Sequence, residues 1–483
     1  MRRARSNSMP TSRPHKSRYI PLLNKPPEQA NDWADMKTQI ASTLSRDIRR
    51  IQEAMSEGRV TSRDSMYTGL SGVALMEYHL SGMPISPQDD HLTPESLISA
   101  ADKHLGRAVR HLPGYHYASN RLSFIESSVG IAVLVLTRNP LTSGGSTANG
   151  WDAAKSYLEN TIDQVLAEDA DDNSSSDVDD SCEVLYGRAG LLYALLYLRK
   201  EIHGKPLGEI TPLERLTSDT SLSGLVNAIM TRGKHGAALL SSGVRASHNQ
   251  GLPPLMWTWH GKRYLGGAHG VAGILQILLS CPISAIQKHL PDIFSTTSWL
   301  MDLQDDTDNW PTSYSIHQGF AVDNELVHWC HGATGVVILL SMALRILHDH
   351  EDAIAMDGIE HKLRQSLQLG ASLVYKNGLL RKGVGLCHGV AGSVYALLAV
   401  SNALDTSSDR RFFSKAVHLA FLATLHEDLT SSDEMTIPDH PWSLYEGLAG
   451  MCCAWAEILS RLDSNDPRRS VCGFPGYNDF ALD

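Results

Sequence analysis

Three observations predict an all-α protein built as one ring of seven helical hairpins. A Gly-x-x-Gly motif running into an apolar stretch recurs along the chain, its copies are nearly evenly spaced, and the period-two alternation of strands is scarce. In order the copies read "YTGLSGVALM", "ESSVGIAVLVL", "YGRAGLLYALLYL", "AHGVAGILQILL", "CHGATGVVILLSMAL", "CHGVAGSVYALLAV" and "YEGLAGMCCAWAEIL". The second copy is degenerate, with Ser127 in place of the first glycine. The second glycines are Gly72, Gly130, Gly190, Gly273, Gly335, Gly392 and Gly450, so successive separations are 58, 60, 83, 62, 57 and 58 residues.

Each motif opens a helix that is apolar on all sides, as a helix buried on most faces must be. Amphipathic stretches lie between the copies, such as "MKTQIASTLSRDIRRIQEAM" before the first and "EHKLRQSLQLGASLVY" between the fifth and sixth. They predict outer helices with one solvated face. Of each glycine pair, one can take a loop conformation closed to other residues, and both let neighbouring helices approach closely. Seven hairpins of equal polarity that share one core close into a ring, which brings every Gly-x-x-Gly to the same rim. The extra residues between Gly190 and Gly273 are expected outside the ring core, much of them as a loop through "SSGVRASHNQGLPP". Residues 18–483 are expected to form a single domain. Residues 1–17 are basic and rich in Ser and Pro, which predicts a disordered tail. Glu168 to Ser181, "EDADDNSSSDVDDS", reads as a flexible acidic loop; it lacks the turn glycine and closing Glu of a calcium-binding loop.

Composition narrows the function classes. A 42% apolar and 20% charged chain of 483 residues has ample material for a core. A net charge of -11 argues against a general nucleic-acid binder, which needs clustered cations for the phosphate backbone. No run approaches the ~20 apolar residues of a membrane span, and no export signal is seen at the start. Arg2 excludes N-myristoylation. Seven cysteines without a small-scaffold spacing favour free or metal-bound thiols in a reducing compartment. A cytoplasmic location is expected, with the nucleus or a peripheral membrane association as further options.

Packing accounts for repeated glycine. It does not account for Cys330 and Cys387 at equivalent positions of consecutive copies. Three consecutive copies also carry His269, His331 and His388 just before the first glycine. If consecutive copies are neighbours on the ring, the two cysteines face each other and a histidine completes a soft donor set suited to zinc. Spacing leaves open whether His331 or His388 is that third ligand. Cys182, Cys281, Cys452, Cys453 and Cys472 have no such pattern and read as small core hydrophobes.

"WCHGATGV", "GLCHGVAG", "CEVLYGRAG", "YLGGAHGVAGI" and "WSLYEGLAGM" together resemble the eukaryotic LanC-like proteins, relatives of the bacterial lantibiotic cyclases. The resemblance runs from about Arg18 to the end of the chain. It implies an (α/α)7 toroid with one zinc held by Cys330, Cys387 and His388, the fourth position open to water or a thiol. It also implies a zinc-dependent transferase that adds the glutathione thiolate to dehydroalanine or dehydrobutyrine, formed from eliminated phosphoserine and phosphothreonine. The acceptors would be proteins or peptides, kinases among them. Under that resemblance His269 is the candidate general acid and Glu183 orients it or handles the proton. His331 is a further catalytic or substrate-contact candidate, and Lys382, Arg188 and Arg18 are candidate contacts for glutathione or phosphate. One departure is Leu326, where bacterial cyclases place an Arg; it argues against lantibiotic-type cyclisation. The alternative is an adaptor that binds zinc and glutathione without turnover. A different zinc enzyme on a helical barrel, such as a protein prenyltransferase subunit, fits the paired Cys-His-Gly motifs less well.

Overall fold

The computed structural model describes residues 16–22, 33–57, 64–83, 92–111, 121–138, 148–170, 181–242, 251–315, 324–350, 354, 356–464 and 473–480. Seven inner helices form a ring: α2 (Leu70–Ser81), α4 (Ser128–Arg138), α6 (Arg188–Ile202), α10 (Val271–Leu279), α13 (Ala333–Asp349), α15 (Val390–Leu404) and α18 (Leu448–Asp463). An outer helix precedes each of them: α1 (Trp33–Glu57), α3 (Pro94–His111), α5 (Ala148–Ala170), α9 (Asp219–Ser242), α12 (Leu290–Asp302), α14 (Ile359–Asn377) and α16 (Arg411–Ala423). Four short helices, α7 (Leu207–Ile210), α8 (Glu214–Thr217), α11 (Ile283–Ile286) and α17 (His426–Ser431), lie in the connections. The molecule is an (α/α)7 toroid.

Burial follows the sequence pattern. Every residue of α10, "VAGILQILL", is buried. In α1 the apolar core face is Ile40, Leu44, Ile48 and Ile51, at helical spacing; Thr43, Ser45 and Asp47 are buried beside it, and the other residues are exposed or half-buried. The only strands among the described residues are the two-residue pair β1 (Arg263–Tyr264) and β2 (Ser313–Tyr314).

The ring is closed by main-chain hydrogen bonds just ahead of the inner helices. Tyr67 N donates to Ile125 O (3.2 Å), Leu122 N to Tyr186 O (2.6 Å), Leu185 N to Ala268 O (3.2 Å) and Gly267 N to Trp329 O (3.0 Å). Cys330 N then donates to Cys387 O (3.4 Å), Cys387 N to Tyr445 O (2.8 Å) and Tyr445 N back to Tyr67 O (3.1 Å). This belt satisfies backbone groups that would otherwise be buried without partners. It also sets consecutive repeats side by side.

The glycines act through space more than through backbone freedom, a correction to the expectation above. Of the first glycines, Gly69, Gly187, Gly270, Gly389 and Gly447 cap their helices in extended conformations with negative φ; Gly332, at φ 89°, is in the left-handed region. Ser127 takes over in the second repeat, accepting a bond from Val129 N (3.2 Å) as a side-chain cap. At each second glycine a Cβ would collide with the carbonyl oxygen six residues earlier, from Met66 for Gly72 to Leu444 for Gly450. Gly392→Ala would drive its methyl group into Leu386 O, beside Cys387. We expect it to destabilise the protein by about 1–3 kcal/mol, the scale of overpacking. Thermal unfolding of Gly392→Ala against a Gly106→Ala control, where a Cβ meets nothing within 4 Å, checks this.

Two expectations change in detail. The residues between Gly190 and Gly273 are not mostly loop. They supply the outer helix α9, and Leu255, Met256, Trp257 and Trp259 are buried, with Trp257 Nε1 donating to Ile229 O (3.0 Å). Only 243–250 of the expected loop lie outside the described residues. At the start of the chain, Lys16 Nζ donates to Asp433 O (3.2 Å) and Ile20 N to Leu379 O (2.7 Å), so docking begins within the stretch expected to be a tail. Residues 1–15 and most of the acidic stretch, 171–180, lie outside the described residues; Glu168 belongs to α5. No described helix is long and apolar enough to cross a membrane.

Candidate metal and thiol site

Cys330 and Cys387 occupy belt positions of adjacent repeats and are joined there by the Cys330 N–Cys387 O bond. The residue after each belt position is Thr68, Glu126, Tyr186, His269, His331, His388 or Glu446 around the ring. One of these histidines joins the cysteines: the donor atoms of Cys330, Cys387 and His388 lie within 4.8 Å of one another. His331 does not join them. Its Nδ1 is buried without a hydrogen-bond partner among the described residues, and its ring lies 5.7 Å from Tyr264 and 6.5 Å from His269. The geometry therefore favours His388 where spacing alone left two choices.

The donor set fits a soft divalent cation. Burial pushes the Cys387 thiol well above its usual range, and the neighbouring Cys330 thiol adds to that, while His388 opposes it. A buried pair of thiolates is thus costly unless positive charge sits between them. Tyr67, two belt positions beyond Cys387, hydrogen-bonds Cys387 and stacks on Tyr445 at 5.0 Å; burial first, and Cys387 second, raise its phenol. Burial lowers His328 to about 3, aided by His388, Lys382 and Arg18, and lowers His331 to about 4, aided by His269, His328 and Lys382. Both rings are neutral near pH 7.

A second constellation adjoins the first. His269 Nδ1 lies 2.8 Å from Glu183 Oε2, and that carboxylate also accepts from Leu185 N (2.8 Å) and from Tyr186 N. Burial raises Glu183, opposed chiefly by its bond to His269. The imidazole sits in an aromatic box: Trp259 stacks nearly parallel to it (6.0 Å, 7°), with Tyr186 at 5.9 Å and Tyr264 at 5.7 Å. Trp259 and Tyr264 come from the long insertion, and sequence reasoning missed both. Their signal was faint: "WTWHGKRYLGG" is an aromatic-rich turn just ahead of a motif.

Among the cations the outcome is divided. Lys382 is exposed and close enough to His328 and His331 to disfavour their charged forms. Arg18 is held beside it, because Arg381 N donates to Arg18 O (3.1 Å), and its guanidinium lies 3.5 Å from Glu325. Arg188 is different. It is buried at the start of α6, and its guanidinium meets Glu168 (3.2 Å) and the Ser181 carbonyl (3.5 Å). With a side chain 2% exposed it offers no open surface to a ligand. Cys182, Cys281, Cys452 and Cys453 are buried in the core, and Cys472 lies outside the described residues.

Fold and site together define a class: a seven-hairpin helical toroid with a thiol–imidazole cluster on its rim that could hold a metal ion. The chain belongs to the lanthionine synthetase C-like protein family, which it matches over residues 61–470. It is 33% identical over 300 residues to the LanC-like protein GCL1 of Arabidopsis thaliana, covering 62% of this chain and 58% of that protein. It is 29% identical over 278 residues to the glutathione S-transferase LANCL1 of Danio rerio, covering 57% of this chain and 59% of that one. The matched stretches thus span under two thirds of both relatives. Among solved structures, nisin cyclase shares the fold with a TM-score of 0.51 at 17% identity, over 86% of this chain and 93% of that chain.

Proposed function

We propose that the protein is a glutathione transferase that adds the glutathione thiol to dehydroalanine or dehydrobutyrine in proteins or peptides, forming a thioether. The observation that carries this reading is the juxtaposition of two sites on one rim. The Cys330–Cys387–His388 cluster suits a thiol-binding metal, and the His269–Glu183 pair suits proton transfer. Zinc bound by the three residues would supply the positive charge that keeps a thiol deprotonated near neutral pH. Lys382 and Arg18, on the same side as His388, would attract the carboxylates of glutathione.

The remaining chemistry belongs to this chain's residues. Attack of the thiolate sulfur on the β-carbon forms the C–S bond and moves the alkene electron pair toward the α-carbon and its carbonyl. His269, protonated on both nitrogens, gives the Nε2 proton to the α-carbon. Glu183 holds Nδ1–H throughout and stabilises the imidazolium before the transfer. The proton released by the incoming thiol balances the one consumed. Trp259, Tyr186 and Tyr264 shield the imidazole from bulk water.

The test is incubation of purified protein with glutathione and a dehydroalanine peptide, read by mass spectrometry. Adduct formation far above the uncatalysed rate is expected, and it should vanish when zinc is chelated. Glutathione binding with no acceleration would instead make the protein a zinc- and glutathione-binding adaptor.

A further inference from the structure

We infer that the C-terminal segment Gly473–Phe480 plugs the central hole of the toroid and positions the metal ligands from below. The segment touches five consecutive members of the ring. Tyr193 Oη of α6 donates to Asp479 Oδ1 (2.6 Å), and Lys200 Nζ of the same helix donates to Asp479 O (2.8 Å). Gln276 of α10 donates to Asn478 Oδ1 (3.1 Å). Trp329, leading into α13, meets Phe474 at 5.5 Å and Tyr477 at 5.1 Å, and Tyr395 of α15 meets Phe474 at 5.4 Å. Tyr445, leading into α18, donates from its hydroxyl to Pro475 O (3.0 Å). A segment that reaches the third through seventh members of a seven-membered ring lies in its centre.

The plug is built for that place. Phe474, Tyr477 and Asp479 are almost fully buried, and Gly476 N donates to Asp479 Oδ2 (3.2 Å), so the segment folds on itself. Gly476 has φ 81°, and a Cβ there would meet the Tyr445 hydroxyl at 2.6 Å.

Its consequence follows from the belt. Trp329 is bonded in sequence to Cys330, and Tyr445 accepts the main-chain bond from Cys387 N. The plug packs against both side chains, so it buttresses the two residues that hold the thiols in register. Outer partners of metal ligands typically tune affinity by about 10–100-fold. Phe474, Tyr477 and Gly476 are therefore positioning residues for the metal centre, an assignment that rests on the metal reading above.

The experiment measures the zinc Kd of the full chain by competition with a chromogenic chelator. Phe474→Ala and the milder Phe474→Leu are compared with Phe294→Ala, a buried deletion on the outer helix α12. Unfolding midpoints identify how far each variant is destabilised. Phe474→Ala is expected to weaken zinc binding about tenfold, with Phe474→Leu recovering most of it and Phe294→Ala leaving it unchanged. If Phe474→Ala does not fold, Tyr477→Leu takes its place: it is expected to weaken zinc binding, and a wild-type Kd for it overturns the proposal. An equal loss in Phe294→Ala and Phe474→Ala also overturns it, because the plug would then act only through global stability. A wild-type protein that binds no zinc would instead overturn the metal reading itself.

Discussion

Cys387→Ala is expected to purify with little zinc and to lose glutathione addition entirely. Removing one of two thiolates from the Cys330–Cys387–His388 set takes away a direct ligand. The loss should exceed the roughly 10–100-fold that follows from removing an outer hydrogen-bonding partner. The stability consequence has a less obvious sign. Without metal, burial keeps the Cys387 thiol protonated, and alanine in its place removes a buried group beside a second thiol. Chelated wild type and Cys387→Ala should therefore unfold at similar temperatures. Zinc should raise the midpoint of wild type alone, since only a ligand that binds the native state shifts the equilibrium. Cys452→Ala, on the core of α18, is the control and should retain zinc. Metal analysis with thermal scans at several zinc concentrations reads both effects. A Cys387→Ala protein with wild-type zinc content would remove this cluster as the metal site.

The ring was legible because its information is periodic. A steric demand repeated at seven second glycines leaves a mark at regular spacing, and here the demand is the same carbonyl six residues earlier each time. Cys330 and Cys387 stood out against that background because packing has no use for a thiol at a belt position. Spacing could not choose between His331 and His388, because both follow a cysteine and precede a glycine. The choice depends on where each imidazole turns, and main-chain pattern does not encode that.

Parts outside the repeat were invisible for a matching reason. Trp259 and Tyr264 reach His269 through a turn with no counterpart in other repeats. The plug residues Phe474 and Tyr477 lie in a short irregular stretch, packed on each other and on residues far away in the sequence such as Trp329 and Tyr395. Arg188 misled for the opposite reason: it follows its first glycine rather than preceding it, so it falls on the first turn of α6 and is turned to Glu168. Aligned by belt position, the residue equivalent to His269 in that repeat is Tyr186.

The variant His269→Ala separates turnover from binding. Its ring nitrogen Nδ1 is committed to Glu183, whose carboxylate is fixed in turn by Leu185 N and Tyr186 N, so the imidazole is held from behind. That leaves Nε2 as the atom able to reach a substrate. The ring belongs to the repeat next to that of Cys330, with His331 between it and the cluster at 6.5 Å. No zinc ligand depends on His269 for a hydrogen bond among the described residues. His269→Ala should accordingly keep its zinc and bind glutathione within a few-fold of wild type. Its rate of addition to a dehydroalanine peptide should fall by roughly 10²–10⁴, the scale for losing a general acid. Histidine suits the task because its unperturbed pKa of about 6.5 lets it be charged in one step and neutral in the next. Glu183→Gln should fall less, since glutamine can still fill the buried site but cannot stabilise the imidazolium. Calorimetry with glutathione and single-turnover kinetics with the peptide distinguish the outcomes. Equal losses of binding and rate would make His269 a binding residue, and an unchanged rate would assign the proton to Glu183 or to water.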